Sequence, residues 1–186
     1  MDRLRLAAVL TRLVDQLRDR GSWCGETHVQ KTTFFLQELM HVPLGFDFIL
    51  YKHGPYSFDL RDELTSLRAD QLIKLEPQWS YGPKIATTER SDYIQGLYPK
   101  TVEKYDDAVS FIAEKLGSKG VTELERLATA LYVTQRFPQD RSIAGRAAKL
   151  TELKPHITRD EATTAVEEVD RIIKEAGDGL SDQRGK

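Results

Sequence analysis

The segment from Thr27 to Thr88 limits the fold more than any other part of the chain. Its apolar spacing first gives a helix that buries Phe35, Leu36, Leu39 and Met40 and stops near Pro43. Phe46-Asp47-Phe48-Ile49-Leu50-Tyr51 follows, aromatic and β-branched enough for a short strand. Tyr51-Lys52-His53-Gly54-Pro55-Tyr56-Ser57 then reads as a turn, in which Gly54 permits a sharp reversal, Pro55 fixes φ and Ser57 can cap the next helix. Leu60, Leu64 and Leu67 give that helix one apolar stripe, and Asp59, Asp62 and Glu63 fall toward its positive end. Leu72-Ile73-Lys74-Leu75 and Lys84-Ile85-Ala86-Thr87 read as two strands joined by a tip, Pro77 to Pro83, that carries Trp79 and Tyr81. Helix, strand, turn, helix and hairpin in this order make a winged-helix-like scaffold with a Gly-Pro turn set into its middle. Such scaffolds are chiefly binding modules.

The flanks are helical. Leu6, Val9, Leu10, Leu13, Val14 and Leu17 recur at three- and four-residue spacing between Arg3 and Arg20, and Gly21-Ser22 ends that helix. Thr27 and Gln30 have the spacing of a capping box. From Pro99 onward every periodic stretch is helical, beginning with Val102, Tyr105, Val109, Ile112 and Leu116, and Pro99 suits a first turn. A turn at Gly117 to Gly120 precedes a second box, Thr122 with Glu125, and a shorter helix covers Ser142 to Leu150. Thr158 and Glu161 form a third box, with Ile157 placed to staple Ala162. The expectation is a mainly α (α+β) protein: a winged-helix-like domain over residues 1–98, a helical part over 99–176 packed on it, and a disordered tail over 177–186.

Composition narrows the function classes. A 186-residue chain that is 40% apolar and 30% charged is long enough for a sizeable core and ordinary for a soluble protein. Its formal net charge of -2 lacks the basic excess of proteins that live on phosphate contacts. Cys24 is the single cysteine, so no intramolecular disulfide forms and a reducing compartment fits. Arg12 and Asp15 interrupt the N-terminal apolar run too early for a signal peptide, and no stretch reaches the roughly 18 apolar residues of a membrane span. A soluble, cytoplasmic protein is expected.

Two motifs carry a family resemblance. Gln30-Lys31-Thr32-Thr33-Phe34-Phe35-Leu36-Gln37 resembles the "lysine, two variable residues, aromatic-aromatic-leucine-glutamine" helix of YwgA-type proteins, which are similar in turn to the Panacea antitoxin domain. Phe46-Asp47-Phe48, Tyr51 and His53-Gly54-Pro55-Tyr56-Ser57 resemble the family's strand and its Gly-Pro-Tyr-Ser turn. Leu124 to Leu131 and Leu153-Lys154-Pro155 resemble its helical tail more loosely. The resemblance implies a binding role, of the toxin-neutralising or regulatory kind, rather than a substrate. After Pro55 the chain has Tyr56-Ser57 where Panacea domains more often continue with small apolar residues.

In a DNA-reading scaffold of this type the helix before the hairpin enters the major groove. Here that helix offers Arg61 and Arg68 against Asp59, Asp62 and Glu63, without Asn or Gln for bidentate adenine contacts. The better cationic groups lie elsewhere: Arg3 and Arg5 in the first helix, and Arg141 and Arg146 in the short C-terminal helix. A solvated mixed-charge face is the competing reading of both.

Catalytic constellations are scarce. Glu38 and His41 have the spacing of half a di-metal carboxylate site, but the second half is missing. Cys24, Glu26 and His28 lie close in sequence without an orienting group or oxyanion donors. P-loop, dinucleotide and nucleophile-elbow motifs are absent from the sequence. Cations flanked by aromatics make good interface anchors, so Lys52, His53 and Tyr56 in the turn, with Trp79 and Tyr81 at the hairpin tip, are the candidate partner-binding residues. The expectation is a non-enzymatic, antitoxin-like or adaptor module that binds a protein partner and needs no metal or cofactor. The alternative is a DNA-binding transcriptional regulator using Arg3, Arg5, Arg141 and Arg146.

Overall fold

The computed structural model describes residues 1–78 and 82–183. Helices dominate these residues, and the only sheets among them are two antiparallel or hairpin-connected pairs of short strands. The chain is therefore mainly α with a small β component. By internal contacts it divides into two compact units, Met1–Ile49 with Tyr56–Lys119 and Leu50–Pro55 with Gly120–Lys186.

The first unit begins with α1 (Arg3–Asp19), capped by the Asp2 side chain, which accepts from the Arg5 amide. Its stripe of Leu10, Leu13, Val14 and Leu17 is buried, as the spacing predicts. α2 (Glu26–Glu38) is buried nearly all round, from His28 to Leu36 with Lys31 included, which makes it the central helix of the unit. The predicted Thr27–Gln30 capping box is absent, because the N-cap is Gly25, two residues earlier. Gln30 bonds Ser57 instead: its Nε2 donates to the Ser57 carbonyl at 2.8 Å and its Oε1 accepts from the Ser57 amide at 3.0 Å.

Residues 46–48 do not join the predicted strand. The Gln37 side chain holds both backbone groups of Phe46, donating to its carbonyl at 2.8 Å and accepting from its amide at 2.9 Å. With those groups taken, strand pairing starts only at β1 (Ile49–Tyr51), which forms a hairpin with β2 (Gly54–Tyr56). The reversal itself lies at Lys52-His53, and Gly54-Pro55 open the return strand rather than make the turn. Gly54 has φ +81°, a left-handed value that suits glycine just after a hairpin turn.

Ser57 caps α3 (Phe58–Ala69) as predicted, accepting from the Leu60 amide at 3.2 Å. β3 (Ile73–Glu76) and β4 (Lys84–Thr87) then pair antiparallel with Leu75 opposite Ile85. Trp79 and Tyr81 lie outside the described residues. α4 (Glu89–Leu97), which the periodicity had not revealed, opens on a capping box between Thr88 and Ser91. α5 (Pro99–Leu116) has Pro99 in its first turn and packs its stripe of Val109, Ile112, Ala113 and Leu116 in the same unit as α1. Arg12 and Asp106 join those two helices at 2.7 Å. The expected division at 98/99 falls between α4 and α5, whereas the contacts divide the chain between Lys119 and Gly120.

The second unit packs α6 (Val121–Arg136), α7 (Ile143–Leu153) and α8 (Arg159–Gln183) around Leu124, Leu127, Leu131, Leu150, Val166 and Val169. Thr158 and Glu161 form the predicted box, the Thr158 amide donating to Glu161 at 2.9 Å. The predicted Thr122–Glu125 box does not form, since α6 starts behind Gly120 without a side-chain cap and Glu125 is buried. α8 continues through Gly177 to Gln183, so the tail expected from 177 is helical over most of its length. Among the described residues no helix is long and apolar enough to cross a membrane.

Candidate functional site

The structure divides the residues of the predicted crown between the two units. Lys52 and His53 belong to the second unit, where α6 and α7 hold the turn. Lys154, at the end of α7, is 5% exposed and donates from Nζ to the carbonyls of Tyr51 and Lys52, the latter at 2.7 Å. Burial pushes the Lys154 ammonium below its ordinary range, against the pull of the nearby Glu125 carboxylate. His53 Nδ1 lies 3.4 Å from Glu125 Oε2, and His156 Nε2 lies 3.2 Å from Glu125 Oε1. Glu125 is only 6% exposed, so two partly exposed imidazoles flank one buried carboxylate. This arrangement fastens the hairpin turn. Among the described residues no group of three or more His, Cys, Asp or Glu side chains could hold a metal ion.

The other catalytic suggestions separate. His41 lies beyond the Leu39 C-cap of α2 with φ +56°, so Glu38 and His41 do not share a helix face. Cys24 is fully buried, and burial pushes its thiol up to about 12, far from a reactive thiolate. Glu26 accepts a hydrogen bond from the Tyr56 hydroxyl at 2.8 Å. His28 is buried and hydrogen-bonded to the Lys119 backbone.

The arginines proposed for nucleic acid are mostly engaged. Arg3 pairs with Glu63 at 3.2 Å and Asp70 at 2.6 Å, and Arg5 pairs with Asp2 and lies over the Tyr98 ring. Arg18 reaches Glu76 at 3.1 Å and the Ile85 carbonyl at 3.2 Å, so the basic excess of α1 is largely spent inside its own unit. Arg146, its side chain 7% exposed, makes two bonds of 2.6 Å to Asp170 and another to Thr134. That pairing leaves little for a phosphate. Arg141 is exposed.

Tyr56 belongs to the first unit, and its hydroxyl bonds Glu26, which lines an open groove of about 340 Å³. One wall is a face of α3, where Leu64 and Thr65 lie three and four residues after Arg61 and Arg68 lies four and three after them. The opposite wall is the face of the β3–β4 hairpin that carries Ile73, Leu75 and Ile85. Glu26 and Thr27 at the start of α2, with Gly82 and Pro83, close one end. Leu64, Ile73 and Ile85 are buried at the base, whereas Leu75 remains 38% exposed.

The charged rim is unevenly committed. Arg61 pairs with Asp62 at 2.8 Å and lies 5.2 Å from the centre of the Phe58 ring. Phe58 in turn meets Tyr56 edge-on at 5.2 Å, and burial together with the Glu26 bond pushes the Tyr56 hydroxyl up to about 12. Arg68 has no ion-pair partner among the described residues. At the tip end of the hairpin the Trp23 indole donates to the Gly82 carbonyl at 3.2 Å, and the Lys84 ammonium sits 4.2 Å from its ring centre. These contacts fix the end of the groove that Gly82 and Pro83 form.

Sequence reasoning identified α3 and the hairpin but read α3 as a solvated mixed-charge face and placed the partner contacts at the Lys52–Tyr56 turn and the hairpin tip. It missed the groove between them, although the stripe of Leu64 and the alternation of Ile73 and Leu75 were both visible. An apolar base with a few charged groups on its rim is the usual lining of a recognition site. Nothing in it resembles a nucleophile paired with a base. The chain matches no family model and no curated protein.

Proposed function

We propose that this chain is a non-enzymatic interaction module, antitoxin-like or adaptor in kind, that holds a protein partner through its winged-helix-like part. The observation that carries this reading is the groove between α3 and the β3–β4 hairpin, with an apolar base, an exposed Leu75 and arginines on its rim. Apolar anchors rimmed by charge suit a protein segment better than a phosphate backbone, which would leave the exposed Leu75 uncovered. The DNA-binding alternative draws on the order of helix and hairpin, but Arg3, Arg5 and Arg146 are already paired with carboxylates.

The test compares the wild-type chain with Leu75→Glu in partner capture from a native-like lysate, alongside duplex DNA binding at low salt. The expected outcome is a protein partner retained by the wild type and lost by Leu75→Glu. Tight, salt-sensitive DNA binding that Leu75→Glu leaves unchanged, with no groove-dependent protein partner, would overturn the proposal.

A further inference from the structure

The groove's charges specify its occupant further, given the protein-binding reading above. Among the described residues three ionisable side chains line it: Glu26, Arg61 and Arg68. The Glu26 carboxylate already accepts from the Tyr56 hydroxyl, and the Arg61 guanidinium is paired with Asp62 and stacked on Phe58. Arg68 alone among the three has a side chain with neither a hydrogen bond nor an ion pair among the described residues. It stands one helical turn beyond Leu64, on the same face of α3, so the uncompensated guanidinium flanks the apolar base.

The geometry points to a peptide segment that seats an apolar side chain on Leu64, Ile73, Leu75 and Ile85 and places a neighbouring carboxylate on Arg68. Arginine favours this pairing because its planar fork can meet a carboxylate with two parallel hydrogen bonds. A basic segment would bring like charge to both Arg61 and Arg68, a repulsion that serves to exclude wrong partners. A nucleic-acid phosphate would satisfy Arg68 but leave the exposed Leu75 without a contact.

Selection of random dodecapeptides displayed on phage against the full chain tests this directly. Sequences pairing a Leu, Ile, Met or aromatic residue with an Asp or Glu within the next few positions are expected to be enriched. Resynthesised winners should bind Arg68→Glu at least about tenfold more weakly, and Arg68→Lys should retain part of that loss. Arg68 is exposed, so neither variant disturbs the core, and unchanged helical circular dichroism confirms it. Enrichment of apolar–basic sequences, binding indifferent to Arg68→Glu, or binding of duplex DNA in place of peptide overturns the inference. Absence of any enriched peptide overturns it too, while groove-dependent capture from lysate separately decides the protein-binding reading.

Discussion

Gln30 pairs with Ser57 as one strand pairs with another, its side-chain amide serving both the amide and the carbonyl of a residue 27 positions away. Gln37 does the same for Phe46. Seven residues are close to two helical turns, so both amides project from one side of α2 and bracket the segment that contains the β1–β2 hairpin. Ser57 also caps α3, whose outer face forms a wall of the groove. The position of that wall therefore depends on a polar pair at the centre of an apolar unit.

Replacing Gln30 by Leu keeps the approximate volume but leaves two buried backbone groups of Ser57 without partners. Each unsatisfied group costs about 1–3 kcal/mol, so a loss of roughly 3 kcal/mol is expected. Gln30→Glu is expected to cost at least as much, because its carboxylate cannot donate to the Ser57 carbonyl unless protonated. Urea unfolding followed by circular dichroism measures both. A loss below about 1 kcal/mol for each would show that water readily replaces the amide.

Gly54 makes a separate prediction in the second unit. Its φ of +81° disfavours any side chain, and an added Cβ would lie 2.9 Å from Thr129 Oγ1 and 3.3 Å from the Glu125 carbonyl. Gly21 has a similar φ of +77° but open space around it. Gly21→Ala is therefore expected to cost only the backbone term, about 1–2 kcal/mol, and Gly54→Ala roughly a further 1 kcal/mol from overpacking. Thermal unfolding of the two variants distinguishes a conformational cost from a steric one. Equal shifts would remove the steric argument.

What the sequence disclosed was local. The stripe of α1, the Ser57 cap, the Thr158–Glu161 box and the limits of β4 all depend on residues within a few positions of one another. Gln30 and Glu125 each stood at capping-box spacing, yet their partners lie far along the chain at Ser57 and at His53 and His156. Nothing in a local pattern tells a side chain that caps its own helix from one that reaches a distant turn. Phe46-Asp47-Phe48 has strand composition, but Gln37 takes the backbone groups a neighbouring strand would need. α4 escaped notice because Ile94 is its one buried aliphatic residue, too little for a periodic signal. Leu64, Ile73 and Ile85 were legible as apolar stripes; that α3 and the hairpin leave an open groove over them is set by tertiary packing.

His28 should make stability depend on pH. It is 3% exposed, its Nδ1 has no hydrogen-bond partner, and burial holds its pKa below the ordinary value despite the bond to the Lys119 backbone. The folded state thus binds a proton less readily than the unfolded state, in which His28 titrates near its ordinary value of about 6.5. Its burial is tolerated fully above that value, and stability falls as the pH drops below it toward the lowered folded value. For one proton the slope cannot exceed about 1.4 kcal/mol per pH unit. His28→Gln removes this titration and keeps a side-chain donor, so the stability difference between wild type and variant should shift in the variant's favour on acidification from about pH 7.5 to about pH 5. Urea unfolding of both proteins across that range measures it. A difference that stays flat would mean that the folded protein admits a charged His28, contrary to its burial.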